Sequence, residues 1–451
     1  MDAQARFSLA DRNDKVISSG DATTSIETDA IQIRPKSGEA LWYSLRDITK
    51  ISDVDYHLRL GLATGESLVL FNLGYRYEDF LRTLHQTRNE LVLHDLLMQE
   101  KVRKRGVKAE YRHLDAAGNE IAKGKCEPRL YDSALVALPE GAELIRASYS
   151  NIVTVSVENY VLTIATENGE RIEFSKLGRE TEPTMKALTD AIAELWAKVQ
   201  AMLKDAYPEG DGRMIAQAAK LMRDGRAAKK ADIEAACPGL WSGLEMKVAG
   251  YDMKEEYTLL TSLAQKERVR IGMKRSLVQG EEELGKLGEY VFFLAPIYSL
   301  DSSKGGNALS FEAASGEGEG RATYFFRIME RDAYRGAKSM EELDSAAEQF
   351  MDDIVKALIT INFRREPIYL DDAKLYTPQY SQYRYALAKI PELKLLREHF
   401  VGRVIHSEPL QWATDVSDLL KFNVTAKDPK ARWVKVEKAP EAQQVQMGGA
   451  R

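Results

Sequence analysis

The side chains best suited to metal or nucleophilic chemistry are few. There are six histidines (His57, His85, His94, His113, His399, His406) and two cysteines (Cys126, Cys237) in 451 residues. A metal site read from sequence needs a regular spacing such as HExxH or paired cysteines. No two histidines stand at i, i+4, and two isolated cysteines build neither a zinc set nor a disulfide framework. Cys237 precedes Pro238 with no identifiable base and reads as a small packed residue. His57, beside Tyr56 in a strand-like run, reads as a surface or rim residue. No metal and no cofactor is expected.

Phosphate chemistry fares no better. A phosphate cradle needs backbone amides, a helix directly after them and preferably a lysine. SGEGEGR (315–321) offers Glu317 and Glu319, which repel phosphate, and a strand follows, so a hairpin or mobile loop is expected. GGNALS (305–310) fails in the same way. Asp344, Glu348 and Asp352 share one helix face at i, i+4, i+8 and could hold a divalent ion, but no neighbouring Lys or His motif completes a hydrolase. They read as a solvated face opposite the apolar stripe. GxSxG, P-loop and kinase signatures are absent.

Two segments could bind rather than react. QEKVRKRGVK sets Lys101, Arg103, Lys104, Arg105 and Lys108 against one acid, Glu100. It could contact an anionic surface, either phosphoinositide-like headgroups or nucleic acid. No aromatic residue interleaves, so nucleic acid is not favoured, and a solvated linker complementing the preceding helix dipole is the simpler reading. Further on, Tyr376, Tyr380, Tyr383 and Tyr385 stand near Lys374, Arg384 and Lys389. They could stack nucleic-acid bases or serve as a hot spot for a protein partner. Packing into a mixed core is simpler, and a protein partner is the preferred functional alternative.

What must position any of these groups is a duplication. GESLVLFNLG from Gly65 and GERIEFSKLG from Gly169 are the same phrase 104 residues apart, and the ungapped match runs from about residue 5 to 98. Identical pairs include Ala5/Ala109, Ile17/Ile121, Pro35/Pro139, Ser44/Ser148, Tyr56/Tyr160, Leu73/Leu177 and Leu84/Leu188. In the second copy, β-branched NIVTVSVENYVLTI breaks into two strands around a Glu158-Asn159 turn. Asn168-Gly169 signals a type I′ hairpin, and RIEFSKL alternates apolar and polar. Met185, Leu188, Ile192, Leu195, Val199 and Met202 then recur at helical spacing. The first copy closes on a helix carrying Phe80, Leu81, Leu84, Leu91 and Leu97.

Several short antiparallel strands plugged by one amphipathic helix, over about residues 5–203, resemble the pleckstrin-homology-like fold, a bent seven-stranded barrel closed by a final helix. The resemblance rests on strand order and the closing helix. It implies a display scaffold for peptides, proteins or lipid headgroups that rarely does chemistry. Residues 221–225 (LMRDG) and 231–236 (ADIEAA) resemble the short helical SHOCT module of bacterial proteins carrying such domains, though its usual acidic-aromatic pair is absent. That resemblance implies docking or self-association, and hence a homo-oligomer.

The expected organisation is α+β. Two barrel-like domains (1–98 and 109–205) flank the basic connector 99–108. A helical hinge (206–250), a larger α+β domain (251–435) and a disordered tail (436–451) follow. The charged stretch EEYTLLTSLAQKERVRIGM is expected as helix before strands YVFFLAPIYSL, NALSFEAA and RATYFFRIM, then a helix bearing Leu343, Phe350, Ile354 and Leu358. Strand, hairpin, strand, helix also admits a third, diverged copy.

Hydrophobic residues make up 44% and charged residues 29%, with net charge −6, which suits a globular protein and argues against a general polyanion binder. The opening MDAQARFSLADRND has no apolar core, so no signal peptide is expected, and the expected compartment is the cytoplasm. The chain is therefore expected to be a non-catalytic scaffold or adaptor capturing a protein partner through its tandem domains. Binding to an anionic membrane through the connector is the second expectation. A divergent enzyme with polar groups converging around residues 290–330 is the third.

Overall fold

In the computed structural model the described residues are 1–96, 100–277, 287–301, 304–315, 321–360, 366–375, 377–384, 387, 391–428 and 430–435. The core of the SGEGEGR loop (316–320), Leu97, Tyr376, Tyr385, Lys389 and the tail 436–451 lie outside them.

The first copy is β1 (Asp2–Ala10), β2 (Val16–Ile26), β3 (Ala30–Pro35), β4 (Leu41–Ser44), β5 (Ile48–Val54), β6 (His57–Leu62), β7 (Ser67–Phe71) and α1 (Tyr77–Leu96). The second is β8 (Ala109–Leu114), β9 (Glu120–Leu130), β10 (Ala134–Pro139), β11 (Ile145–Ser148), β12 (Ile152–Glu158), β13 (Val161–Thr166), β14 (Arg171–Ser175) and α2 (Thr181–Ala206). From β2 to β7 every boundary recurs 104 residues later. Each copy is a curled antiparallel seven-stranded sheet, in order β4-β3-β2-β1-β7-β6-β5 and its counterpart β11-β10-β9-β8-β14-β13-β12. Strand residues alternate inward as the two-residue period requires: Leu58, Leu60 and Leu62 in β6 meet Phe80 and Leu84 of α1 in one core. Leu162, Ile164, Phe174 and Leu188 repeat this in the second core.

Turn chemistry departs from the expected signals. At Asn168-Gly169 only the glycine has positive φ (+85°), and Thr166 bonds Glu170 across a three-residue loop, so the hairpin is a glycine-bulge turn rather than type I′. The two-residue loops with both φ positive lie elsewhere, at Asp55-Tyr56 (51° and 59°) and Asn159-Tyr160 (50° and 62°). The second turn is thus centred one residue beyond Glu158-Asn159.

The barrels dock through α1. Its Arg88 is buried, donates to the Ile48 carbonyl at 2.9 Å and lies 3.3 Å from Glu143 of the second copy. Asn89 donates to the Ala142 carbonyl at 2.8 Å. Leu93 packs on Tyr131, Val136 and Leu138, the outer face of the second sheet.

After α2 come α3 (Gly212–Leu221), β15 (Ala227–Lys229), α4 (Lys230–Ala236), α5 (Leu240–Gly250) and α6 (Lys254–Leu263). The rest of the third sheet is β16 (Arg270–Leu277), β17 (Leu287–Ile297), β18 (Ala308–Ser315), β19 (Ala322–Arg327) and β20 (Phe400–Ile405), with α7 (Arg331–Gly336) and α8 (Met340–Thr360) between the last two. Its order is sequential, β15 to β20, which is not the strand order of the copies. The expected helix through RVRIGM is strand β16. Ile271 and Met273 point into the core on one face, and Arg270 and Lys274 on the other face are buried as well, because helices cover both faces of the sheet. On one face Phe292, Phe311 and Phe326 meet Leu343, Phe350 and Ile354 of α8. On the other, Ile271, Phe293 and Phe325 share a core with Ile215, Ile233 and Leu244, so the segment 206–250 belongs to this third unit and supplies one of its strands. The 26-residue α2 joins the units: Leu188 and Ala191 close the second barrel, while Val199, Met202 and Leu203 enter the third core. No described helix is long and apolar enough to cross a membrane.

Candidate functional site

The hairpin tips of the two copies carry the same unusual residue. Tyr56 and Tyr160 follow a residue that tolerates left-handed backbone, Asp55 and Asn159, but are themselves bulky and held at positive φ. Left-handed backbone costs a side-chain-bearing residue roughly 1–2 kcal/mol. Glycine would avoid that cost, and burial does not offset it, since the tyrosines are 71% and 79% exposed. Tyr56 leans edge-on against Tyr77 with ring centroids 5.3 Å apart, and Tyr77 donates to Asp53. Each tip ends β5 or β12, the outer strands of the two sheets. His57 beside it is exposed, its Nδ1 2.8 Å from the Asp55 carbonyl and its ring stacked on Phe71.

The connector cations divide. Arg103 pairs with Asp132 at 2.7 Å and Glu194 at 2.6 Å, Lys104 with Glu180 at 3.0 Å, and Lys104 also bridges to Leu130. Glu100 caps Ser133. Lys101, Arg105 and Lys108 are exposed. The connector is thus a strap along the second barrel, with three of its five cations turned to solvent.

In the tyrosine segment, Tyr383 is buried with Leu370 and Leu375, and Tyr380 stacks on it with ring centroids 6.4 Å apart. Both pack in a small core. The neighbouring Arg384 reaches the first barrel at Asp47.

The carboxylates Asp344, Glu348 and Asp352 are not a solvated face. Arg268 contacts Asp344 and Glu348, each at 2.7 Å, and Arg270 contacts Glu348 and, at 2.5 Å, Asp352. Tyr298 also donates to Asp344 at 2.5 Å. Strand β16 supplies Arg270 and the short turn before it Arg268, which brings both guanidiniums to the acidic stripe of α8. The paired arginines hold Glu348 below the usual carboxylate range against the opposing pull of burial.

A second charged group was invisible in the sequence because its members come from α6, β18 and the end of β20. Glu312 is fully buried and receives Thr323 Oγ1 at 2.5 Å. His406 places Nε2 3.1 Å from Glu312 and Nδ1 3.4 Å from Glu256. Burial pulls the His406 pKa down, but the Glu312 hydrogen bond and both carboxylates outweigh it and the net direction is up. Burial raises that of Glu256. Neither cysteine is activated: burial pushes Cys126 up to about 12 and Cys237 upward as well. Among the described residues no three His, Cys, Asp or Glu side chains are placed so that they could hold a metal ion.

Neither a protein-family model nor a curated protein matches this chain.

Proposed function

We propose that the protein is a non-catalytic cytoplasmic scaffold whose two barrels, pleckstrin-homology-like modules, capture a protein partner. The observation that supports this best is the pair of exposed, backbone-strained tyrosines at equivalent hairpin tips. Strain of this kind persists where the surroundings impose it and gathers at binding sites. Tyrosine supplies a large, amphipathic contact and is enriched among interface hot spots. The tips end outer strands β5 and β12, beside which a partner segment can add as a further strand. Anionic-membrane binding has weaker support, because Arg103 and Lys104 are paired with acids of the protein itself.

The test is quantitative affinity purification from the native cell with the full chain and with a Tyr56→Gly/Tyr160→Gly variant. Glycine suits positive φ, so the variant keeps its fold while losing both rings. A stoichiometric partner held by the wild type and lost by the variant is expected. No such partner, or one retained by the variant, would overturn the reading.

A further inference from the structure

A cleft of about 870 Å³ opens between the second barrel and the third sheet. That is within the roughly 300–1,000 Å³ typical of small-molecule sites. Residues of β11 and the β13–β14 hairpin form one wall, and β15, β16, α4 and α8 the other. Its apolar lining includes Leu144, Val355 and Ile359, and charges of both signs face inward.

The acids of the cleft already have partners. Glu167 receives Arg223 and Arg226, and Glu170 lies 3.1 Å from His113. Glu348 and Asp352 belong to the ladder with Arg268 and Arg270. One cation differs. The side chain of Arg146, on β11, has no hydrogen bond or ion pair to any described residue; it is half-buried, with its Nε shielded from water. A guanidinium keeps its charge at neutral pH, so donors left without acceptors favour an incoming oxyanion. Burial pushes the Arg146 pKa down against the opposing pull of Glu100 and Asp224, neither of which is paired with it. Lys229 is only loosely restrained, 4.0 Å from both Asp232 and Glu348, so its ammonium can turn toward a ligand. The first copy has no such device: the residue equivalent to Arg146 is Trp42, which is exposed.

We propose that this cleft binds a small molecule bearing an oxyanion, phosphate or carboxylate, with Arg146 as its anchor and Lys229 as a second contact. The guanidinium fork matches either group bidentately, and the apolar lining takes the remainder of the molecule. This site does not depend on the scaffold reading.

The test uses the full chain with inorganic phosphate and, separately, citrate, each against sodium chloride at equal ionic strength. Calorimetry should give saturable binding near one site per chain for at least one anion, with a saturable rise in the thermal midpoint. Phosphate alone would identify phosphorylated ligands, and citrate alone carboxylates. Arg146→Met should abolish both signals while being no less stable than the wild type, since it breaks no side-chain hydrogen bond or ion pair with a described residue. Arg146→Lys keeps the charge without the fork and should weaken binding about tenfold. Neither anion exceeding chloride, or Arg146→Met or Arg146→Lys binding as tightly as the wild type, would overturn the proposal.

Discussion

Asp47 and Asn151 hold the same place in the two copies, and each accepts a hydrogen bond from an arginine of the chain's second half. Arg384 donates to both oxygens of Asp47 at 2.8 and 2.9 Å, and Arg226 Nη2 lies 3.3 Å from Asn151 Oδ1. Both residues end the short 3-10 turn between the fourth and fifth strands of their copy, and their carbonyls accept from Ala63 and Glu167 of the following hairpin loop. One turn of the repeat therefore serves twice as a docking point. Duplication gave two equivalent anchors, and different parts of the third unit came to use each.

Asp47→Ala should free the segment around Arg384 from the first barrel. The lost charge-assisted bonds are worth about 1.5–3 kcal/mol. Hydrogen exchange should speed up across 372–384, with the helix Pro409–Thr425 unchanged. Uniform protection in the variant would mean that packing of Tyr383, and not the ion pair, holds the segment.

The hairpin tips give a prediction of opposite sign. Tyr160→Gly removes the left-handed penalty and should leave stability within about 0.5 kcal/mol of wild type or raise it, since the greater freedom of unfolded glycine offsets part of the gain. Tyr160→Val, β-branched at the same φ, should lower it by about 1 kcal/mol or more. Urea midpoints of the two variants decide the matter. Equal midpoints would show that backbone strain is not the relevant term.

His406 supplies a pH dependence. The groups around it are Glu312, Glu256, Thr323, Trp412 and Arg321, of which the last opposes protonation. Its folded pKa lies above the ordinary 6.5, so its contribution is full below that value and is lost as pH rises through the folded pKa. Glu256, raised by burial from 4.5, loses stability in the same direction, beginning at lower pH. Unfolding free energy should therefore fall as pH rises above the ordinary histidine value of 6.5, and His406→Gln should flatten that part of the profile. Identical slopes in the two proteins would remove His406 as the cause.

How far the sequence spoke depended on how local the signal was. The duplication was legible to the residue, because strand alternation and the stripe through Leu188 and Ile192 are set by neighbours a few positions apart. Turn centres were not: Asn168-Gly169 carries the stronger dipeptide signal, yet Asn159-Tyr160 takes the paired positive φ because pairing of β12 with β13 leaves only two residues to turn the chain. Strand β16 keeps a two-residue alternation, Ile271 and Met273 against Arg270 and Lys274, but it is short and follows closely on helix α6, so it read as that helix's continuation. The cleft and the His406 group were beyond reach, since Arg146 and Lys229 come to line one cleft, and Glu312 meets His406, only through the tertiary fold. Asp344, Glu348 and Asp352 were placed correctly on one face, but the arginines opposite lie some eighty residues upstream.

The junction between α2 and α5 yields the last prediction. A Cβ added at Gly243 would lie 2.3 Å from the Ala206 carbonyl oxygen, a backbone atom that cannot step aside without moving the end of α2. That helix closes the second barrel and feeds the third core, so displacing it strains both. Gly243→Ala should cost about 1–3 kcal/mol, as overpacking of a fitted interior does. Gly250, at the end of the same helix, has open space where its Cβ would stand. There the same substitution should be neutral or stabilise by up to about 1 kcal/mol, because alanine favours helix. The two variants change one methyl group in one helix, so the difference in their urea midpoints isolates the close approach. Equal midpoints would show that α5 can withdraw from α2 at no cost and that the helices are not fitted there.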